Sequence, residues 1–209
     1  MTSATATLPL VHVVDDDASV RSALTRMLRI AGFEARGYES AASFLAGGDR
    51  AGGCLLLDVS LPGMSGVELQ AVLARVDECL PIVFLTGHGD IAMSVRAMKA
   101  GAVDFLTKPV KRDVLLAAVR AAMARDAAAR AHRADLRGVR DRFATLTTRE
   151  REVFEGVIRG KLNKQIADDL GTSIRTVKAH RARVMSKMNA GSLAELVGIA
   201  SRLAPPART

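Results

Sequence analysis

The chain has 209 residues, 49% of them hydrophobic, which is enough to bury one or two ordinary cores. No stretch approaches the roughly 18 uninterrupted apolar residues of a membrane span, and MTSATATLPL at the start lacks the basic region and apolar core of a secretory signal. A cytoplasmic protein with no membrane partner is expected. Charge separates the halves: residues 1–124 hold 12 Lys+Arg against 13 Asp+Glu, while residues 125–209 hold 18 against 9. A basic surplus confined to the C-terminal part suits a polyanion, and nucleic acid is the expected partner there.

The N-terminal part alternates strand and helix signals five times. LVHVVD is the first strand, followed by a helix from Ser19 to Ala31 with Val20, Leu24, Met27 and Leu28 at helical spacing, stopped by Gly32. FEARGY is a weaker second strand, with a short helix from Ser40 to Ala46 after it. CLLLD is the third, leading to a helix over 66–76; IVFLT is the fourth, leading to a helix over 91–100 that ends at Gly101. DFLT is the fifth, and a last helix runs from Lys111 to about Arg125. Strands that alternate with such helices indicate βαβ units and a parallel sheet covered on both faces. Cys54 and Cys79 have apolar neighbours and no CxxC or His partner, so they read as buried thiols in a reducing compartment.

Residues 126–142 are dominated by Ala and Arg, a composition that favours helix but buries little. They are expected to form a partly helical linker between a domain over 8–125 and a second over 143–204, with Gly138 the expected break and a rigid continuation of the preceding helix the alternative. The second domain carries helix signals throughout. Thr147 and Glu150 form a capping box ahead of Val153, Phe154, Val157 and Ile158. NKQIADDLG is a short helix closed by Gly171, and Ser173 caps IRTVKAHRARVMSKM. At 100° per residue Val177, Val184, Met185 and Met188 share the inner face of that last segment, and Arg175, Lys178, Ala179, Ala182, Arg183 and Ser186 the outer one. A basic helix that follows a short helix and a glycine turn is the arrangement that enters the DNA major groove.

The strands of the first domain end in chemistry. Asp15 and Asp16 follow the first, Asp58 closes the third, Thr86 the fourth, and Lys108 stands just after the fifth. In an open parallel sheet these ends meet at one crevice. Three carboxylates there repel one another, so Lys108 and a divalent cation with oxygen ligands, Mg²⁺, are expected to offset them. Asp58 then serves as a nucleophile toward phosphorus, with Thr86 donating a hydrogen bond to the transferred group. One of Asp15 to Asp17 is also the candidate cap of the first helix. A phosphatase of the haloacid-dehalogenase type uses similar parts but wants an acid two residues after its nucleophile, where this chain has Ser60. His12, His88 and His132 have no metal-ligand or nucleophile partner at useful spacing, and no role is assigned to them.

Over residues 8–125 the segments VVDDD, LLLDVSLPGMSGVEL, LTGHGD and AMKAGAVDFLTKPV resemble the receiver domain of two-component response regulators, in particular the FixJ-like and NarL-like group. The resemblance implies a flavodoxin-like, doubly wound five-stranded parallel sheet of order 2-1-3-4-5. It makes Asp58 the phosphoacceptor, Asp15 and Asp16 the acidic pair around Mg²⁺, and Ser60 a metal ligand through its backbone carbonyl. Thr86 and Lys108 become the phosphoryl-sensing hydroxyl and ammonium, Phe105 takes the aromatic switch position, and the donor is a phosphohistidine on a partner kinase. The segment from Leu146 to Val197 resembles a LuxR-type helix-turn-helix domain, a separate small all-α unit. That likeness assigns Arg175, Thr176, Lys178, His180 and Arg183 to the DNA side and brings Asn163 and Lys164 to the DNA backbone. It also makes Leu193, Leu196, Val197 and Ile199 the apolar face of a last helix that pairs two domains. Thr172, where the family is usually apolar, and Gly191 depart from the pattern, and Arg181 has no assigned role. The expectation is a transcription regulator that dimerises on phosphorylation and binds promoter double-stranded DNA, with RNA polymerase a further partner. It is not an enzyme beyond assisting its own phosphoryl transfer and dephosphorylation.

Overall fold

The structure is a computed structural model, and it describes residues 9–47, 52–75, 80–87 and 91–203. The chain divides into two compact units between residues 130 and 131.

In the first unit β1 (Leu10–Val14), β2 (Glu34–Tyr38), β3 (Cys54–Asp58), β4 (Ile82–Thr86) and β5 (Asp104–Thr107) form one parallel sheet of order β2-β1-β3-β4-β5. Side chains alternate between its faces, as the two-residue period requires. Val11, Val13, Cys54, Leu56, Val83 and Leu85 pack against α1 (Ala18–Ile30) and the start of α5 (Arg112–Ala144). Val14, Leu55, Leu57, Ile82 and Phe84 pack against α2 (Ala41–Ala46), α3 (Gly66–Leu73) and α4 (Ile91–Lys99). Both faces are therefore covered, and the polar groups at the strand ends sit at a single rim. Helix α3 ends at Leu73, short of the expected Val76, which lies outside the described residues.

Helix starts follow side-chain capping. Asp17 accepts from the Ser19 and Val20 backbone N–H groups, and Ser40 and Ser65 close capping boxes with Ser43 and Glu68. At the other end of β3, Asp126 of α5 is buried, accepting from Gly53 N–H at 2.9 Å and from Arg130 at 2.8 Å. Beside it Cys54 is buried, and burial first, with the Asp126 charge second, pushes its thiol up to about 12. Cys79 lies outside the described residues.

One expectation is corrected: α5 is a single helix of 33 residues that runs through Gly138 without a break, so the linker is helical over all of 126–142. One interior glycine costs about 1 kcal/mol against alanine. The surrounding Ala and Arg are strong helix formers, no proline interrupts them, and Val139 is buried directly after the glycine.

The second unit holds α6 (Thr148–Ile158), α7 (Asn163–Asp169), α8 (Ile174–Met188) and α9 (Leu193–Leu203). Its core gathers Val153, Phe154 and Val157 with Ile166, Ala167, Val177, Val184, Met188 and Leu196. Gly156 lets α7 approach α6, since a Cβ there would lie 2.8 Å from Ile166. Gly171 turns the chain between α7 and α8 with φ +61. The apolar face expected on α9 divides: Leu196 is buried and Ile199 half-buried, but Leu193 and Val197 are exposed. Among the described residues no helix is long and apolar enough to cross a membrane.

Candidate functional sites

The strand ends bring Asp15 and Asp58 together, both buried, with exposed Asp16 beside them. Oxygen atoms of the three carboxylates all lie within 4.8 Å of one another. Lys108 closes the group: its Nζ donates to Asp15 Oδ2 and Asp58 Oδ2, each at 2.7 Å. The other oxygen of Asp58, Oδ1, accepts from the Ser60 backbone N–H at 3.1 Å. Thr86 ends β4 and is buried, and its carbonyl accepts from Lys108 N–H at 2.7 Å, which ties the lysine's backbone to the neighbouring strand. The Lys108–Pro109 peptide bond is cis.

The electrostatics of this rim are mixed. Burial pushes the Asp15 carboxyl above its usual range and the Asp58 charge adds to that, while the bond from Lys108 pulls the other way. For Lys108, burial favours the neutral amine, but the bonds and charges of Asp15 and Asp58 outweigh it and hold the ammonium above its ordinary value. Asp17 is a separate group that caps α1, and the Val20 and Ser19 N–H bonds hold its carboxyl down. Three carboxylates and no sulfur or imidazole make a hard, oxygen-only donor set, which fits a small divalent cation and not a soft metal.

Two residues that pattern reading did not find complete the pocket. Arg21 of α1 donates to the Asp15 backbone carbonyl at 2.6 Å and to that of Asp16 at 3.3 Å, so it fixes the acidic loop from behind. Gly66 starts α3 directly beneath the phosphoacceptor candidate, where a Cβ would fall 2.3 Å from the Asp58 carbonyl oxygen. Phe105 is half-buried on β5 with its ring 5.9 Å from that of Phe84. His12 is buried in β1, and its Nδ1 lies 3.0 Å from the Tyr38 hydroxyl. His88 lies outside the described residues.

In the second unit Ser173 Oγ accepts from Thr176 N–H at 3.1 Å and so sets the start of α8. Arg175, Thr176, Lys178 and Arg183 are exposed along this helix, with Ala179 and Ala182 between them and Ser186 one turn beyond, and Lys164 is exposed on α7. His180 and Asn163 are placed differently. His180 is half-buried and lines a cavity of about 150 Å³ with Arg149, Val153, Leu170, Thr172 and Thr176, and its Nδ1 is buried without a partner. At 100° per residue it lies about 60° from Val177, on the inner side of the helix. Asn163 is half-buried and accepts from Arg181 at 3.1 Å, which gives Arg181 a role as the strut between α7 and α8. The buried Glu150 is a further finding. It closes the capping box with Thr147 and accepts from Lys187 of α8 at 2.6 Å, while Lys187 also donates to the Thr145 carbonyl at 3.0 Å. The Lys187 bond, with the Thr147 N–H, holds the Glu150 carboxyl down at about 2.

Residues 11–120 match the response regulator receiver domain, and residues 144–200 match the bacterial regulatory proteins of the luxR family. Nodulation protein W of Bradyrhizobium diazoefficiens is 46% identical over 198 residues, 94% of this chain and 87% of that protein. Transcriptional regulatory protein FixJ of Rhizobium meliloti is 46% identical over 191 residues, 91% of this chain and 94% of that one. Among solved structures, the response regulator StyR superposes with a TM-score of 0.83 at 46% identity, covering 93% of this chain and 99% of that one.

Proposed function

The chain belongs to the transcriptional response regulators that join a receiver domain to a LuxR-type DNA-binding domain, and from that premise we propose that Asp58 is its phosphoacceptor, served by Mg²⁺ held at Asp15, Asp16 and Asp58. Phosphorylation-dependent regulation is the general mechanism of this class. The observation that carries the reading is the meeting of Asp58, Asp15 and Lys108 through two 2.7 Å bonds, between residues far apart in the chain.

Asp58 Oδ attacks the phosphorus of a phosphohistidine on a partner kinase. As the O–P bond forms the P–N bond breaks, and the imidazole nitrogen leaves with the bonding pair. Bound Mg²⁺ supplies positive charge to the transferring phosphoryl oxygens. Lys108 exchanges its contact with Asp58 for one with the phosphoryl group, and Thr86 turns its hydroxyl to the same group. The ring of Phe105, which has no phenol oxygen, follows by packing alone. The changed surface around α4, β5 and α5 promotes a homodimer, whose α8 helices bind promoter DNA, with RNA polymerase a further partner of the regulator. The chain works in the cytoplasm, where its DNA lies, and its only chemistry is on its own acyl phosphate.

Acetyl phosphate with Mg²⁺ is expected to label the chain, to raise its dimer fraction and to tighten DNA binding, and Asp58→Asn is expected to lose all three. Persistent labelling of that variant would discard the site.

A further inference from the structure

The exposed side chains of α8 are polar, cationic or small, with one exception. Ile174, its first residue, is 44% exposed. By angle it lies about 60° from buried Val177, yet it stays in the open because the turn before it, Gly171 to Ser173, is itself exposed and covers nothing. A helix side chain leans toward its own N-terminus, so Ile174 projects beyond the end of the unit's core. Its position is held: Ser173 Oγ accepts from Thr176 N–H at 3.1 Å and lies 2.8 Å from Thr176 Oγ1. Exposed Arg175 and Lys178 flank it.

We propose that Ile174 reads the 5-methyl group of a thymine, as a specificity-determining residue of this DNA-binding domain. The inference rests on α8 being the groove helix. Helices of this kind present their N-terminal residues to base edges, and the flanking cations draw that end toward the phosphates. An aliphatic side chain has nothing to offer a base through hydrogen bonds. The one major-groove feature that rewards it is the thymine methyl, which no other base carries. Cytosine offers an amino group at the neighbouring ring position and no methyl, so the contact discriminates between the two pyrimidines without any polar group.

The test uses the full chain treated with acetyl phosphate and Mg²⁺. A preferred duplex is first selected from a random pool, and each thymine in it is then replaced singly by deoxyuridine, which lacks only the methyl. Burying one such group contributes about 0.8 kcal/mol, so one thymine in each half-site should weaken binding about fourfold when its methyl is removed. Ile174→Ala should bind the parent duplex more weakly and show no uridine effect at that position, while its response elsewhere is unchanged. A scan that is flat in the unsubstituted chain, or that keeps the same sensitive thymine in Ile174→Ala, overturns the assignment and leaves Ile174 against sugar or solvent. If no sequence is enriched from the pool, the groove-helix reading itself fails. That outcome is distinct from a flat scan on an enriched site.

Discussion

Replacing Lys108 by alanine removes the cation that bonds the Asp15 and Asp58 carboxylates directly. Its ammonium holds Asp15 and Asp58 at 2.7 Å each. With carboxylate oxygens within 4.8 Å of one another, two unit charges at that separation repel by about 3.5 kcal/mol at an effective dielectric of about 20. Breaking a buried ion pair by deleting one partner costs about 3–5 kcal/mol. The Lys108 side chain keeps 22% of its exposure, so water shares the load. We expect a loss of about 3 kcal/mol, or about 10 °C in melting temperature for a unit of this size. The pH dependence has a definite sign. Burial raises the Asp15 carboxyl above its ordinary 3.8. A carboxyl raised in the fold contributes no penalty below that ordinary value and destabilises as pH rises through the raised one. Without the ammonium the upward push grows, so the deficit of Lys108→Ala should be small at pH 4 and full at pH 8. Added Mg²⁺ should restore more stability to the variant than to the parent chain at pH 8. Calorimetric melts at the two pH values, with and without Mg²⁺, measure all of this. A deficit as large at pH 4 as at pH 8, or none at either, would refute the balance of charge argued for this rim.

Glu150→Gln keeps the capping box but removes the ion pair with Lys187. Because the Glu150 carboxyl is held at about 2 against an ordinary 4.5, its contribution is full above 4.5 and fades as pH falls toward 2. The variant should lose about 1–2 kcal/mol at pH 7, partly screened at the half-exposed lysine, and little at pH 2; hydrogen exchange of α6 and α8 peptides reads this. Gly66→Ala should destabilise the first unit by about 2–3 kcal/mol and slow labelling by acetyl phosphate, because its Cβ would press on the Asp58 carbonyl. A variant labelled at the parent rate would show that α3 does not set the position of Asp58. Lys178→Ala should weaken binding and relax sequence preference. Lys164→Ala should weaken binding to all sequences alike and lower the slope of log K against log salt by about one; titrations at several salt concentrations on matched and mismatched duplexes separate the two.

The sheet was legible because its strands are short apolar runs ended by polar groups, and a parallel sheet brings such ends to one rim. LVHVV, CLLLD and IVFLT needed no tertiary information to be recognised. Arg21 was not legible, since it acts through backbone carbonyls that carry no residue-specific signal. Gly66 was hidden among other glycines, because only its 2.3 Å approach to Asp58 separates it from a loop glycine. On α8 the helical wheel separated Val177, Val184 and Met188 from the exposed cations. His180 is assigned to the DNA contacts by family likeness alone, and the structure has it half-buried against a small cavity. Arg181 and Asn163 were read separately, as their pairing spans two helices. At Gly138 the helix-favouring Ala and Arg on either side outweigh the cost of one interior glycine, a balance that composition alone leaves open.

The carboxylate of Asp58 has neither oxygen bare: an amide proton sits on one and an ammonium on the other. An oxygen so engaged is a blunted nucleophile. On the proposed reading, an ion held at the acidic rim would compete with Lys108 for the lone pairs of Asp15 and Asp58, and the lysine released from that pair would be free to meet the arriving phosphoryl oxygens. One side chain would then serve as guard before the reaction and as receptor after it.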